Sequence, residues 1–131
     1  MNLVDSSGWL EYFGDGANVE FFAPPLKDVK RLLVPSICIL EVFKRVLQQR
    51  GEDAALQSAA LMQQGEVVDL DGAVAVGAAK ISHELKLPLA DSVILATARA
   101  RRAVIWTQDS DFRGLPGVKY KAKGNRQGGE R

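Results

Sequence analysis

One cysteine and one histidine occur in 131 residues, and that scarcity removes two large classes of site. Cys38 alone closes no intrachain disulfide, and His83 alone completes no Cys/His zinc cluster, so a bound metal must sit on oxygen. No apolar run approaches the roughly 18 residues needed to span a bilayer. The first segment also meets Asp5 before a signal-peptide core can form, so a cytoplasmic protein is expected. The chain lacks a glycine-rich loop followed by Lys-Ser/Thr, a GxGxxG turn and a GxSxG elbow, which withdraws support from nucleotide and acyl chemistry. There is no internal repeat.

What is present is ordinary globular material, 47% hydrophobic and 25% charged, in a length that suits one domain. The net charge of +1 hides a segregation: residues 1–98 hold 8 Lys/Arg against 13 Asp/Glu, and residues 99–131 hold 9 against 3. A basic end of this size suits either a polyanionic partner or a solvated tail. Residues 1–120 read as the domain, and 121–131 as a basic, flexible C-terminal tail with no apolar residue beyond Ala122.

Short apolar strands alternate with helical patterns. Asn2–Val4 reads as a strand, with Trp9, Leu10, Tyr12 and Phe13 at helical spacing after it. Val19, Phe21, Phe22 and Leu26 mark a second helix, which Pro24 and Pro25 should bend or shorten. Arg31–Val34 is a strand; Ser36 then caps a helix running to about Gln49 and closed by Gly51. A helix through Ala54–Leu61, a strand at Val67 and Val68, and a helix from Ala73 to Leu85 interrupted by Gly77 come next. Leu89–Arg102 is helical, Ala103–Trp106 a strand leading into the loop TQDSDF, and Val118–Tyr120 an edge strand. This alternation predicts an α/β three-layer fold with a short, mostly parallel sheet flanked by helices.

In open α/β sheets, ligands gather at the carboxyl ends of the strands. Asp5 ends the first strand, and Asp109 and Asp111 follow the strand ending at Trp106. Asp91 opens the preceding helix, and Glu41 lies early in the helix after the second strand. Each has a purely structural explanation: Asp5 and Asp91 as helix-start acids, Glu41 paired with Arg45, Asp109 and Asp111 as turn formers. Their joint arrival at one edge carries more weight. Two carboxylates about 4 Å apart repel by roughly 4 kcal/mol at an effective dielectric of 20, so such a cluster takes up protons or a hard cation such as Mg²⁺. Cys38, among Ile37, Ile39 and Leu40, reads as a buried thiol, and His83 beside Glu84 as a surface residue.

The segments NLVDSSGWLEYF, PSICILEVFKR, LPLADSVILATA and VIWTQDSDF, in this order and spacing, resemble the PIN-domain ribonucleases, and among them the VapC-type toxins of toxin-antitoxin pairs. The likeness runs from Asn2 to about Tyr120 and implies a PIN-like fold and a Mg²⁺-dependent endoribonuclease, with Mn²⁺ as the other metal. By position, Asp5, Glu41, Asp91 and Asp109 match the family's acidic quartet, with Asp5 and Asp91 as principal metal ligands. Ser6 and Thr107 match supporting hydroxyls, and Asp111 rivals Asp109 for the fourth place. The likeness also implies an RNA substrate, a small cognate antitoxin and a homodimer.

Arg99, Arg101, Arg102, Lys119, Lys121 and Lys123 are the basic residues expected to hold RNA phosphates. Phe43, Val46, Leu47 and Leu61 are candidates for an antitoxin groove. A catalytically silent PIN-like module that binds RNA or protein is the alternative, and the intact acid set argues against it. A dehalogenase-like phosphatase expects an Asp where Ser7 stands, and a receiver domain expects a lysine that Lys119 fits poorly.

Overall fold

The computed structural model describes residues 1–124, which form a five-stranded, wholly parallel sheet flanked by six helices. The strands are β1 (Asn2–Val4), β2 (Leu32–Pro35), β3 (Glu66–Val68), β4 (Val104–Thr107) and β5 (Val118–Tyr120). The helices are α1 (Ser6–Phe13), α2 (Val19–Lys27), α3 (Ser36–Arg50), α4 (Glu52–Met62), α5 (Gly72–Leu85) and α6 (Leu89–Arg101). Spatially the strands run β3-β2-β1-β4-β5. The chain builds one half of the sheet outward from β1, then returns to build the other half from β4. The two halves meet between β1 and β4, where Val4 pairs with Trp106. At such a switch point the loops leaving adjacent strands part, and a crevice opens at their carboxyl ends.

The sequence explains why the centre of the sheet is buried. β2 reads Leu-Leu-Val-Pro with every residue buried, and Leu3, Val4 and Ile105 are at most 1% exposed, as strands covered on both faces require. The pleat sends Val4 and Trp106 to one face, where Trp106 lies 5.3 Å from Phe21 of α2 between ring centroids. Asp5 and Thr107, one residue further along each strand, turn to the other face. Gly8 is required by close approach: a Cβ there would stand 2.5 Å from Val4 Cγ1 and 2.6 Å from Phe22, so α1 sits directly on the end of β1. At Gly51, φ of 90° lets the chain turn from α3 into α4.

Several local expectations are corrected. Pro24 and Pro25 lie inside α2, which continues to Lys27; the helix forgoes bonds to the carbonyls of Glu20 and Phe21 while Phe22, Pro25 and Leu26 are buried in the core. Pro35 rather than Ser36 occupies the N-cap of α3, and the Ser36 hydroxyl instead accepts from the Leu70 N–H at 3.3 Å. β2 starts and ends one residue later than the apolar run suggests. Gly77 does not interrupt α5; a Cβ there would meet Ala96 at an ordinary 4.0 Å. Lys121 and Ala122 are tied to the domain, through Lys121 N–H to the Thr107 carbonyl and Asn18 Nδ2 to the Ala122 carbonyl. Residues 125–131 of the expected tail lie outside the described residues. No helix among the described residues is long and apolar enough to cross a membrane.

Candidate metal centre at the switch point

Asp5 has two roles at once. As N-cap of α1 it accepts from the Gly8 N–H at 3.0 Å, so the capping reading is correct as far as it goes. The same carboxylate, 2% exposed, also accepts from Ser7 Oγ at 2.7 Å and from Thr107 Oγ1 at 2.6 Å. Thr107 in turn accepts from the Asp109 N–H at 2.9 Å. The end of β1 and the loop after β4 are thus joined through one buried hydroxyl. Burial pushes the Asp5 carboxyl up to about 6, against the lowering effect of the hydrogen bonds from Thr107, Ser7 and Gly8; the Asp109 charge adds to the rise.

The other acids arrive from α6 and the β4 loop. Asp91 is in the first turn of α6, whose N-cap is Pro88. Asp109 caps a 3-10 turn, Ser110–Phe112, by accepting from the Asp111 N–H at 2.9 Å. That turn returns the Asp111 side chain toward Asp91, and Asp91, Asp109 and Asp111 each offer a carboxylate oxygen within 4.8 Å of the others. Burial raises Asp91 to about 7, and the Asp109 charge, a hydrogen bond with Asp111 and the charges of Asp111 and Asp5 push the same way. Both candidates for the fourth place are therefore present in the cluster.

Glu41 does not pair with Arg45. It accepts from Ser6 Oγ at 2.7 Å, which ties α3 to the first residue of α1. Cys38 is fully buried as expected, and its thiol is pushed upward by burial, with the negative charges of Asp5, Glu41 and Asp91 adding to the effect and a Ser6 hydrogen bond opposing it. One buried atom therefore feels acids from β1, α3 and α6 together. His83 is exposed, as expected.

Sequence reasoning missed the polar brace behind Asp5. Gln108 is buried; its N–H reaches Ser7 Oγ at 3.4 Å, and its amide donates to Glu11 at 3.3 Å and accepts from Asn18 Nδ2 at 3.0 Å. Only the place of Gln108, between Thr107 and Asp109, could have signalled it.

The basic residues divide. Lys121 leaves the carboxyl end of β5. Lys119 lies over Trp106, 4.5 Å from the ring centroid, and Arg101 is ion-paired with Glu66. Arg99 and Arg102 are about 12 and 16 Å along the α6 axis from Asp91, beside the start of β4 and so at the opposite sheet edge. Among the groove candidates, Val46 is core and Phe43 packs half-buried against it, whereas Leu47 and Leu61 are exposed.

The three gathered carboxylates, with Asp5 and Glu41 outside that group, offer only oxygen donors; burial and neighbouring negative charge lift Asp91, and burial lifts Asp5, toward neutral pH. Those properties fit a hard divalent cation, which removes the repulsion that protons otherwise relieve.

Similarity to known proteins bears on the fold. Solved structures of like fold include a toxin-antitoxin complex from Klebsiella pneumoniae, with a TM-score of 0.76 and 22% identity over 91% of this chain and 96% of that one. They also include Mycobacterium tuberculosis VapC20, a sarcin-ricin loop cleaving toxin, with a TM-score of 0.74 and 15% identity over 88% and 95% of the two chains. DNA-bound VapBC from Salmonella typhimurium has a TM-score of 0.71 and 20% identity over 93% and 98%. No curated protein sequence matches significantly. The PIN domain family model matches residues 3–118, from the strand before Asp5 to the first residue of β5, and the chain belongs to that family.

Proposed function

We propose that the chain is a Mg²⁺-dependent endoribonuclease, with Mn²⁺ as a substitute, acting as the toxin of a toxin-antitoxin pair. The observation that carries this reading is the meeting of Asp91, Asp109 and Asp111 within 4.8 Å at the switch point, with Asp5 held beside them through Thr107. Asp5, Asp91 and Asp109 would hold the ion, with Asp111 at their side and Glu41 facing the site from α3. Once bound, the ion supplies a water of lowered pKa and neutralises charge on the phosphate oxygens.

The chain's own residues do the positioning. Thr107 and Ser7 fix both oxygens of Asp5, Ser6 fixes Glu41, and the 3-10 turn fixes Asp109 against Asp111. With the acids held in place beforehand, little reorganisation is left for the moment of reaction.

The named partners of the similar structures support an antitoxin for this chain. An apolar hollow of about 230 Å³ between Trp9, Phe13, Leu26, Val29 and Leu61 suits a peptide segment. Exposed Leu70 and Leu89 flank a second apolar hollow, of about 410 Å³, two residues from Asp91 and suited to a second copy of the chain. Sedimentation of the chain alone checks the homodimer. A cytoplasmic location follows from the toxin role.

The decisive measurement is cleavage of RNA by purified protein with Mg²⁺, with EDTA, and with Asp5→Asn. Cleavage is expected with Mg²⁺ only, and only in the wild type. Activity that survives both chelation and the substitution overturns the reading, and RNA binding with no cleavage under any metal identifies the silent module instead.

A further inference from the structure

We propose that the substrate's phosphodiester backbone runs through the cleft between α1 and α3, held by Lys44, Arg45 and Lys123, and not across the basic end of α6. This rests on the nuclease reading above. Two hollows make the cleft. The first, about 540 Å³, is lined by Ser6 and Glu41 at the acid site and by Lys44 and Arg45 along α3. The second, about 310 Å³, is lined by Ser7 and Gln108 behind Asp5 and by Arg45 and Lys123. Arg45 and Leu10 belong to both, so the two hollows adjoin, with Ser6 and Ser7, the chain neighbours of Asp5, on their walls.

The charges in this cleft are available. Lys44, Arg45 and Lys123 are exposed, and the ion pairs among the described residues are Arg31–Asp28 and Arg101–Glu66, so none of the three faces a carboxylate partner there. Arg45 stands one helical turn from Glu41 yet leaves it to Ser6. Glu11, the other acid of the cleft, is engaged by the Asn18 N–H at 2.8 Å and by Gln108 at 3.3 Å. Lys44, Arg45 and Lys123 outnumber Glu41 and Glu11 along the two hollows, so the cleft carries a net positive charge that an anion offsets. A ligand that fills the cleft and also reaches the carboxylate cluster must carry negative charge along its length and share a cation with the acids. A phosphodiester chain meets both demands, with a negative charge on every unit of its length and phosphate oxygens that complete a Mg²⁺ shell.

The test uses full-length protein in an Asp91→Asn background, so that RNA is bound without being cut. A labelled single-stranded oligoribonucleotide is titrated by fluorescence anisotropy over a series of KCl concentrations. Each phosphate that a variant no longer neutralises should lower the slope of log Kobs against log[salt] by about 0.7. Lys44→Ala with Arg45→Ala should therefore lower it by about 1.4 and weaken binding severalfold, and Lys123→Ala should lower it by about 0.7. Arg99→Ala with Arg102→Ala should leave it unchanged. Arg45→Glu serves as a second variant, and thermal melting shows that each variant is folded.

Unchanged slopes in the cleft variants, or a reduced slope in the Arg99/Arg102 pair, overturn the path. It is also overturned if the cleft variants lose binding of a polyglutamate peptide while keeping RNA. If wild-type protein cuts RNA and the cleft variants bind it as well as the Asp91→Asn parent does, only the path falls. If wild-type protein does not cut and the Asp91→Asn protein does not bind, the nuclease reading falls with it.

Discussion

The two sides of the acid site satisfy their carboxylates in opposite ways. On the β1 side, Asp5 is buried but surrounded by donors: Thr107, Ser7 and the Gly8 N–H. On the α6 side, Asp91 is half-buried and surrounded by other acids, Asp109 and Asp111. Burial lifts both groups, but donors restrain the first while neighbouring negative charge lifts the second further, so Asp5 reaches about 6 and Asp91 about 7. A carboxylate held by donors is a rigid anchor whose geometry exists before any ligand arrives. A carboxylate held among carboxylates needs a proton or a cation, and that is where an ion is expected to contribute most.

Substitutions can break this contrast. The largest effect belongs to the cation-demanding side: Asp91→Asn should lower RNA cleavage by about 10³-fold, because the forfeited charge stabilisation amounts to several kcal/mol at about 1.4 kcal/mol per factor of ten. Asp111→Asn should cost less than Asp109→Asn, since the Asp109 carboxylate caps the Ser110–Phe112 turn and its charge acts on both Asp5 and Asp91. Single-turnover cleavage rates decide the order, and equal losses at 109 and 111 would erase the distinction between them.

An intermediate effect is expected on the anchored side. Thr107→Val removes a donor from Asp5 and an acceptor from the Asp109 N–H together. Removing such a supporting hydroxyl typically costs 10- to 100-fold in metal affinity or activity, and an unsatisfied buried group costs about 1–3 kcal/mol of stability. Calorimetric Mg²⁺ titration and denaturant melts measure the two separately. Thr107→Ser should recover most of both, and failure of that rescue would mean that the methyl packing, not the hydroxyl, is what matters.

The smallest effect is on stability against pH. Asp5 and Asp91 are raised from 3.8 to about 6 and about 7, so the folded chain holds these protons more tightly than the unfolded one. Their contribution is fully present below about pH 4 and is lost as pH rises through about 6 and 7. In EDTA, Asp91→Asn should therefore gain on wild type in melting temperature between pH 4 and 8, and Mg²⁺ at pH 8 should narrow or reverse that gap. A gap that stays constant with pH would show that repulsion at Asp91 is not felt in the folded chain.

Much of the frame was readable in advance because it depends on local pattern. Short apolar segments bounded by turns marked all five strands, and helical spacing marked the helices to within about three residues at each end, α1 starting at Ser6 ahead of the apolar residues from Trp9 on. Departures came where tertiary packing outweighed a local rule. α2 runs through Pro24 and Pro25 with its apolar side in the core, and Ser36 gives up its cap to bond Leu70 across 34 positions. The acids were legible because each follows a strand or opens a helix. Their partners were not: Ser6 finds Glu41 across 35 positions, and Thr107 finds Asp5 across 102.

By itself the sequence determined the order of strands and helices, the oxygen-only donor set and the acids at the strand ends, because chain periodicity and residue chemistry are local properties. Only the tertiary structure decided which acids crowd one another, which rest among donors, and which cations stay unpaired beside them. Those outcomes depend on distances between residues far apart in the chain, and Coulomb repulsion and hydrogen bonding act on distance in space.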